Sequence, residues 1–160
     1  MPKNIWLNSI HKVNYHWRVC LLGLILAAPG LCAQESATPE PILPEAFQWG
    51  GPPDNPGVRG AWVVGSESAA GLYALRVRLQ QGSRIPPHTH PDARYTTVLD
   101  GTLYVGFGAE QDDSRLVAVP AGGLYVAPAG VPHYVLARDG NVVYQESGVG
   151  PSGMIWLTPQ

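Results

Sequence analysis

Two histidines, His88 and His90, stand two residues apart in the stretch GSRIPPHTHPDARYTTVLDG, which runs from Gly82 to Gly101. On an extended segment, residues i and i+2 project to the same side, so both imidazoles are presented to one place. Neutral imidazole is a common ligand for divalent transition metals, and two side by side can grip one ion. A third histidine, His133, follows in GGLYVAPAGVPHYVLA. Positions 34–160 hold no other histidine, so all the imidazole of that part of the chain sits in one pattern. No competing chemistry is written into the chain. It has no Ser/His/Asp set, no phosphate loop, no paired-carboxylate acid/base motif and no dinucleotide fingerprint.

The elements that must position these histidines are short. From Phe47 onward the chain alternates brief runs of β-branched and aromatic residues with glycine and proline, and no stretch keeps a helical period. The pattern predicts strands at Ala61–Val64, Leu72–Leu79, Tyr95–Leu99, Thr102–Gly106, Leu116–Val119, Leu124–Ala127, His133–Ala137, Val142–Glu146 and Met154–Leu157. Asp100-Gly101 and Asp139-Gly140 read as hairpin dipeptides whose glycine tolerates positive φ. Many short strands at regular spacing predict an all-β sandwich or barrel. Pro86 and Pro87 stiffen the approach to His88, and Pro128-Ala129-Gly130 predicts a tight turn that carries His133 back toward the barrel mouth.

The two stretches together resemble the cupin family of small β-barrels. The first cupin motif is glycine, five residues, His-x-His, three or four residues, glutamate, six residues, glycine. Gly82, His88, His90 and Gly101 match it, and Arg94 stands where the glutamate belongs. The second motif is glycine, five residues, Pro-x-Gly, two residues, histidine, three residues, asparagine. Gly122, Pro128, Gly130 and His133 match it, and Ala137 stands where the asparagine belongs. The resemblance covers residues 47–160 and implies a cupin jelly-roll barrel.

Cupins commonly hold a divalent metal with three histidines and one glutamate. The resemblance therefore implies a metal site of His88, His90 and His133, taking iron, manganese, zinc, nickel or copper. Arg94 cannot donate a lone pair. Facing a dication about 6 Å away it would be repelled by roughly 5 kcal/mol at an effective dielectric near 20. A metal thus requires Arg94 to turn aside or to meet an anion. One reading makes it a bidentate clamp on an anionic ligand, and the other a salt-bridge arginine paired with Asp92 or Asp100. The motif register points Arg94 inward and Tyr95 outward. Asp92 or Glu146 could add an oxygen ligand, Asp92 reading first as a solvated turn acid. Gln145 is a further ligand-binding candidate on a late strand. The tyrosines and Trp62 read as barrel packing, with one or two lining the pocket. The enzyme implied is a metal-dependent oxidoreductase, dioxygenase-like, acting on a small organic anion. The alternatives are a non-catalytic small-ligand or metal-binding module and a metal-free jelly roll.

The N-terminal region has a separate logic. Residues 1–18 carry Lys3, Lys12 and Arg18 without an acid, an apolar run spans Val19 to Pro29, and small residues reach Ala33. This is the layout of a secretory signal peptide, predicted as residues 1–33 with cleavage after Ala33, and a periplasmic or secreted location is expected from it. The run falls short of the roughly 20 apolar residues of a membrane span, so no stable membrane insertion is expected after cleavage. An uncleaved anchor and lipidation of Cys32 are the alternatives, the latter set back by Leu31. Residues 34–46 read as a Pro/Glu-rich linker. Both cysteines, Cys20 and Cys32, lie in the leader, so positions 34–160 can form no disulfide. Those positions carry seven arginines, no lysine and twelve acids, a formal charge of −5. With no basic stripe, nucleic acid is excluded as the expected partner. A homodimer is expected, with Phe47 to Val64 adding a strand to a neighbour's sheet.

Overall fold

The computed structural model describes residues 40–157. The predicted leader and the first part of the linker lie outside these residues. Of the linker's remainder, Pro44–Ala46 forms a single 3₁₀ turn. Ten strands follow: β1 (Val58–Val64), β2 (Gly71–Leu79), β3 (Arg84–Thr89), β4 (Arg94–Asp100), β5 (Thr102–Phe107), β6 (Val117–Pro120), β7 (Leu124–Ala127), β8 (His133–Leu136), β9 (Val142–Gly150) and β10 (Ile155–Trp156). They form two five-stranded sheets, in the orders β1-β2-β9-β4-β7 and β10-β3-β8-β5-β6, and every pairing is antiparallel. The chain passes repeatedly from one sheet to the other, the connectivity of a jelly roll.

Alternation decides which side chains face inward. On β2, Tyr73, Val77 and Leu79 are buried, while Arg78 is exposed on the opposite face. Val77, Leu79, Val98, Leu103, Val105, Val135 and Val142 meet between the sheets as the core. Arg76 and Arg78 face out, and there the aromatic rings of Phe47 and Trp49 lie over their guanidinium groups at 5.3 and 3.8 Å. These cation–π contacts hold the incoming segment against the sheet. Gly50 then pairs with Gly60 through two backbone hydrogen bonds of 2.9 and 2.8 Å. Part of the β1 edge is thus occupied by this chain's own backbone.

Two local expectations are corrected. Asp100-Gly101 and Asp139-Gly140 do not close hairpins. Each joins a strand of one sheet to a strand of the other, β4 to β5 and β8 to β9. Gly101 does use positive φ, at +74°, and a side chain there would run into the Asn141 carbonyl; Gly140 needs no such conformation. The second correction concerns β3, missing from the predicted strands although it carries the first histidine. Its two prolines lack N–H groups, and the pairing with β8 breaks between Ile85 and His88 for that reason. Pairing resumes at His88, which lies directly opposite His133.

Candidate metal centre

His88 ends β3, His90 follows it, and His133 opens β8. The cross-strand register of His88 with His133 puts two imidazoles side by side, their ring centroids 4.3 Å apart. His90 reaches the same point from the turn toward β4. That turn is fixed by the Gly130 N–H, which donates to the His90 carbonyl at 2.8 Å. Gly130 adopts φ +71°, the left-handed conformation that suits glycine, and its hydrogen bond ties the second motif to the first. Trp156 of β10 closes the other side of His88, ring centroids 5.6 Å apart.

All three histidines are buried, and one ring nitrogen of each lies within 4.8 Å of the others. Each presents Nδ1 to a backbone carbonyl: His88 to Pro86 at 2.7 Å, His90 to Gly153 at 2.8 Å and His133 to Val131 at 3.2 Å. A carbonyl oxygen only accepts, so each Nδ1 carries the ring proton and each Nε2 keeps its lone pair. This is the outer-shell arrangement that orients imidazole ligands toward a metal. His90 Nε2 is buried without any hydrogen-bond partner, an arrangement that would cost free energy if nothing were to bind there. Burial pushes all three histidines below the usual imidazole range, His88 to about 3, so they remain neutral and free to ligate at neutral pH. The donor set fits a divalent metal.

Arg94 opens β4 and is buried, 1% exposed. As the register predicted, Tyr95 faces outward, 53% exposed. The guanidinium does not reach for an external anion. Its Nε donates to Asp92 at 2.9 Å, one Nη to Glu146 at 2.5 Å, and the other to Glu67 at 2.8 Å and to Ser152 Oγ at 3.2 Å. Its flat face lies over the Tyr73 ring at 4.9 Å. The anion-clamp reading is corrected on this geometry, because the fork is filled by carboxylates of its own chain. The salt-bridge reading identified Asp92, but the pair is buried rather than on the surface, and Asp100 takes no part. Asp92 is not a solvated turn acid either. Burial alone would raise its pKa, but hydrogen bonds from Ser152, Tyr73 and Arg94 outweigh that and hold it below the usual carboxylate range. Burial raises Glu146, with Arg94 opposing.

Gln145 is likewise corrected. Tyr144 and Glu146 turn inward from β9, so Gln145 between them turns outward, where it accepts a hydrogen bond from Arg76 at 2.8 Å. Ala137, in the asparagine position, is buried in the core. Its N–H donates to Ser83 and its carbonyl accepts from Gly82, so this position acts through its backbone. Sequence reasoning missed Glu67 and Ser152, which lie in loops without motif. Gly148 leaves room for the hydrogen-bonded pair of Tyr73 and Asp92, since a side chain there would collide with both.

A cavity of about 540 Å³ opens beside the histidines. Val58, Trp62, Leu75, Val77, Ile85 and Val135 form apolar walls, and His88, His133, Glu67, Glu146, Tyr125 and Tyr144 supply the polar groups. Gln48 and the segment Gly50 to Pro52 border it.

A family model described as Cupin matches residues 66–158. The chain belongs to the cupin family. Among curated proteins, this cupin is 40% identical over 72 residues to a putative germin-like protein 8-1 of rice, Oryza sativa subsp. japonica, a stretch that covers 43% of this chain and 33% of the rice protein. The chain spans about a third or less of the length of the germin-like relatives it matches. Among solved structures, the polyketide cyclase RemF from Streptomyces resistomycificus aligns with a TM-score of 0.64 at 13% identity, over 77% of this chain and 88% of that one. KdgF from a Halomonas species aligns with a TM-score of 0.55 at 18% identity, over 67% and 91%. At these identities the structural likeness speaks for the fold.

Proposed function

We propose that this protein is an exported cupin that binds a divalent metal through His88, His90 and His133 and receives a small molecule in the adjoining cavity. The observation that carries the reading is the shared geometry of the three rings. Each is neutral, each has Nδ1 committed to a backbone carbonyl, and their nitrogens converge on one point. A bound metal would supply Lewis acidity and, for iron, redox chemistry. The chain's own part is to hold the rings, wall the cavity with apolar side chains and keep Arg94 engaged by carboxylates. The enzyme form of this reading is a dioxygenase-like oxidoreductase. The second reading is a non-catalytic ligand- or metal-binding module.

Metal analysis of protein purified without a histidine tag, followed by an oxygen-uptake screen with added iron, separates these readings. Metal with ligand-dependent oxygen uptake supports the enzyme, and metal without turnover supports the binder. No bound metal overturns the three-histidine metal site and favours the metal-free jelly roll. Export rests on the basic, apolar and small-residue succession before Gln34. N-terminal sequencing of the exported protein should start at Gln34, and an intact Met1 in the membrane fraction would refute cleavage. A homodimer is part of the same proposal, supported by the exposed Leu72, Tyr95, Leu124 and Val149 on one outer sheet face. Light scattering tests it.

A further inference from the structure

The charged groups around the cavity are of one sign. Glu67 and Glu146 both line it, whereas no arginine does so among the described residues. Arg94 lies behind them, buried, with its fork turned to three carboxylates. Asp92, Glu67 and Glu146 outnumber the single guanidinium. Glu146 is held by one oxygen only: Oε1 accepts from Arg94, and no protein donor among the described residues reaches Oε2. In the cross-strand register Leu75, Glu146, Thr96 and Tyr125 stand in one row, so this carboxylate rises beside a wall that Leu75, Val77, Ile85 and Val135 make largely apolar. Such a wall favours a ligand with an apolar body, and the volume falls within the range of small-molecule sites.

We propose that the cavity selects a neutral, hydroxyl-bearing molecule with an apolar ring body over the corresponding carboxylate, with Glu146 accepting the hydrogen bond from the ligand's hydroxyl group. In the metal-free protein, a carboxylate placed there meets two like charges in a partly desolvated site and finds no free cationic side chain in the wall. A hydroxyl group meets an acceptor whose second oxygen is unengaged, and a hydrogen bond to a charged acceptor is among the stronger ones. Arg94 acts as a positioning residue, fixing the Glu146 carboxylate toward the cavity without touching the ligand. This rests on the proposed role of the cavity as a ligand site, though not on the identity of the metal.

The test uses naphthol and naphthoate with the polar group on the same ring carbon, titrated at neutral pH and low salt. The full chain is measured after chelator treatment and again after loading with zinc. Naphthol should bind at least tenfold more tightly than naphthoate to the stripped protein. Glu67→Gln and Glu146→Gln should each narrow the ratio threefold or more by improving naphthoate binding. Glu146→Gln should also weaken naphthol, and by more than Glu67→Gln does. If Glu146→Gln does not fold, the wild-type ratio and the partly exposed Glu67→Gln decide. Equal affinities, a preference for naphthoate, or no binding of either compound would overturn the proposal. Zinc stoichiometry on the same samples reports on the histidine cluster separately. The metal reading can therefore fail while the ligand ratio stands, and the reverse.

Discussion

The histidine cluster and the Arg94 network are neighbours in one barrel and solve opposite problems. Around Arg94, every guanidinium nitrogen is answered from within the chain: three carboxylates, a serine hydroxyl and an aromatic face surround the one cation. In the histidine cluster the outer nitrogens are answered by carbonyls and the inner ones are not, and His90 Nε2 is buried with no partner at all. A closed set of partners around one cation fixes structure, because the guanidinium has little left to offer a ligand, while Glu146 Oε2 stays open to the cavity. An open set of lone pairs, held rigidly from behind, is a binding site. The cupin glutamate would belong to the open set, and its replacement by Arg94 moves that position into the closed one.

Breaking the closed network should have the largest effect. Arg94→Met leaves Asp92, Glu67 and Glu146 without their shared cation and should destabilise the fold by about 3–5 kcal/mol, read from urea unfolding. Combining it with Glu146→Gln removes one stranded charge and should restore part of that loss. A loss within about 0.5 kcal/mol for the single variant would mean that the network contributes nothing.

The open set should respond to metal rather than to mutation alone. Zinc at a hundred times its dissociation constant should stabilise the wild type by about 2.7 kcal/mol. His133→Ala, which removes one of three ligands, should abolish most of this gain, as should His88→Ala and His90→Ala. Full stoichiometric metal in any of these single variants would reject the ligand set.

Acid sharpens the comparison next. The three histidines have folded-state pKa values depressed by burial, so the metal-free fold keeps their full contribution above about pH 6.5, the ordinary imidazole value. Below that the unfolded chain takes up protons that the folded chain refuses, and stability falls as the pH drops. For His88 the loss continues until its folded-state value of about 3 is reached. Between pH 6.5 and 4.5 that histidine alone should account for a loss on the order of 2 kcal/mol, measured by unfolding at a series of pH values with chelator present. A flat profile would show that the rings are protonated as readily as in the unfolded chain. The smallest effect belongs to Gln145→Ala. Its side chain bonds Arg76 on the outer face, so metal and ligand binding should be unchanged, and stability should shift by no more than about 1 kcal/mol. A tenfold loss of ligand affinity would return Gln145 to the site.

The histidines were legible because spacing carries their geometry. Residues i and i+2 share a face of any extended segment, and the motif register added His133. Arg94 was legible as inward-facing but not in its contacts. Glu67 lies in the loop between β1 and β2 and Ser152 in the turn before β10, and nothing in the local sequence aims either at residue 94. β3 was hidden by its own prolines, which read as breaks although the structure accommodates them at a gap in pairing. Gln145 was misplaced because strand parity needs an anchored register, and one residue reverses the face.

The sequence by itself determined the all-β class, the two-motif pattern and the three imidazoles, since these follow from alternation, turn chemistry and short-range spacing along the chain. Only the tertiary structure decided what Arg94 faces, which carboxylates remain open to the cavity and which side of β9 is inside. Those depend on contacts between residues far apart in the chain, such as Arg94 with Glu146, 52 positions apart, and Arg76 with Gln145, 69 positions apart, and no local backbone preference encodes a contact of that kind.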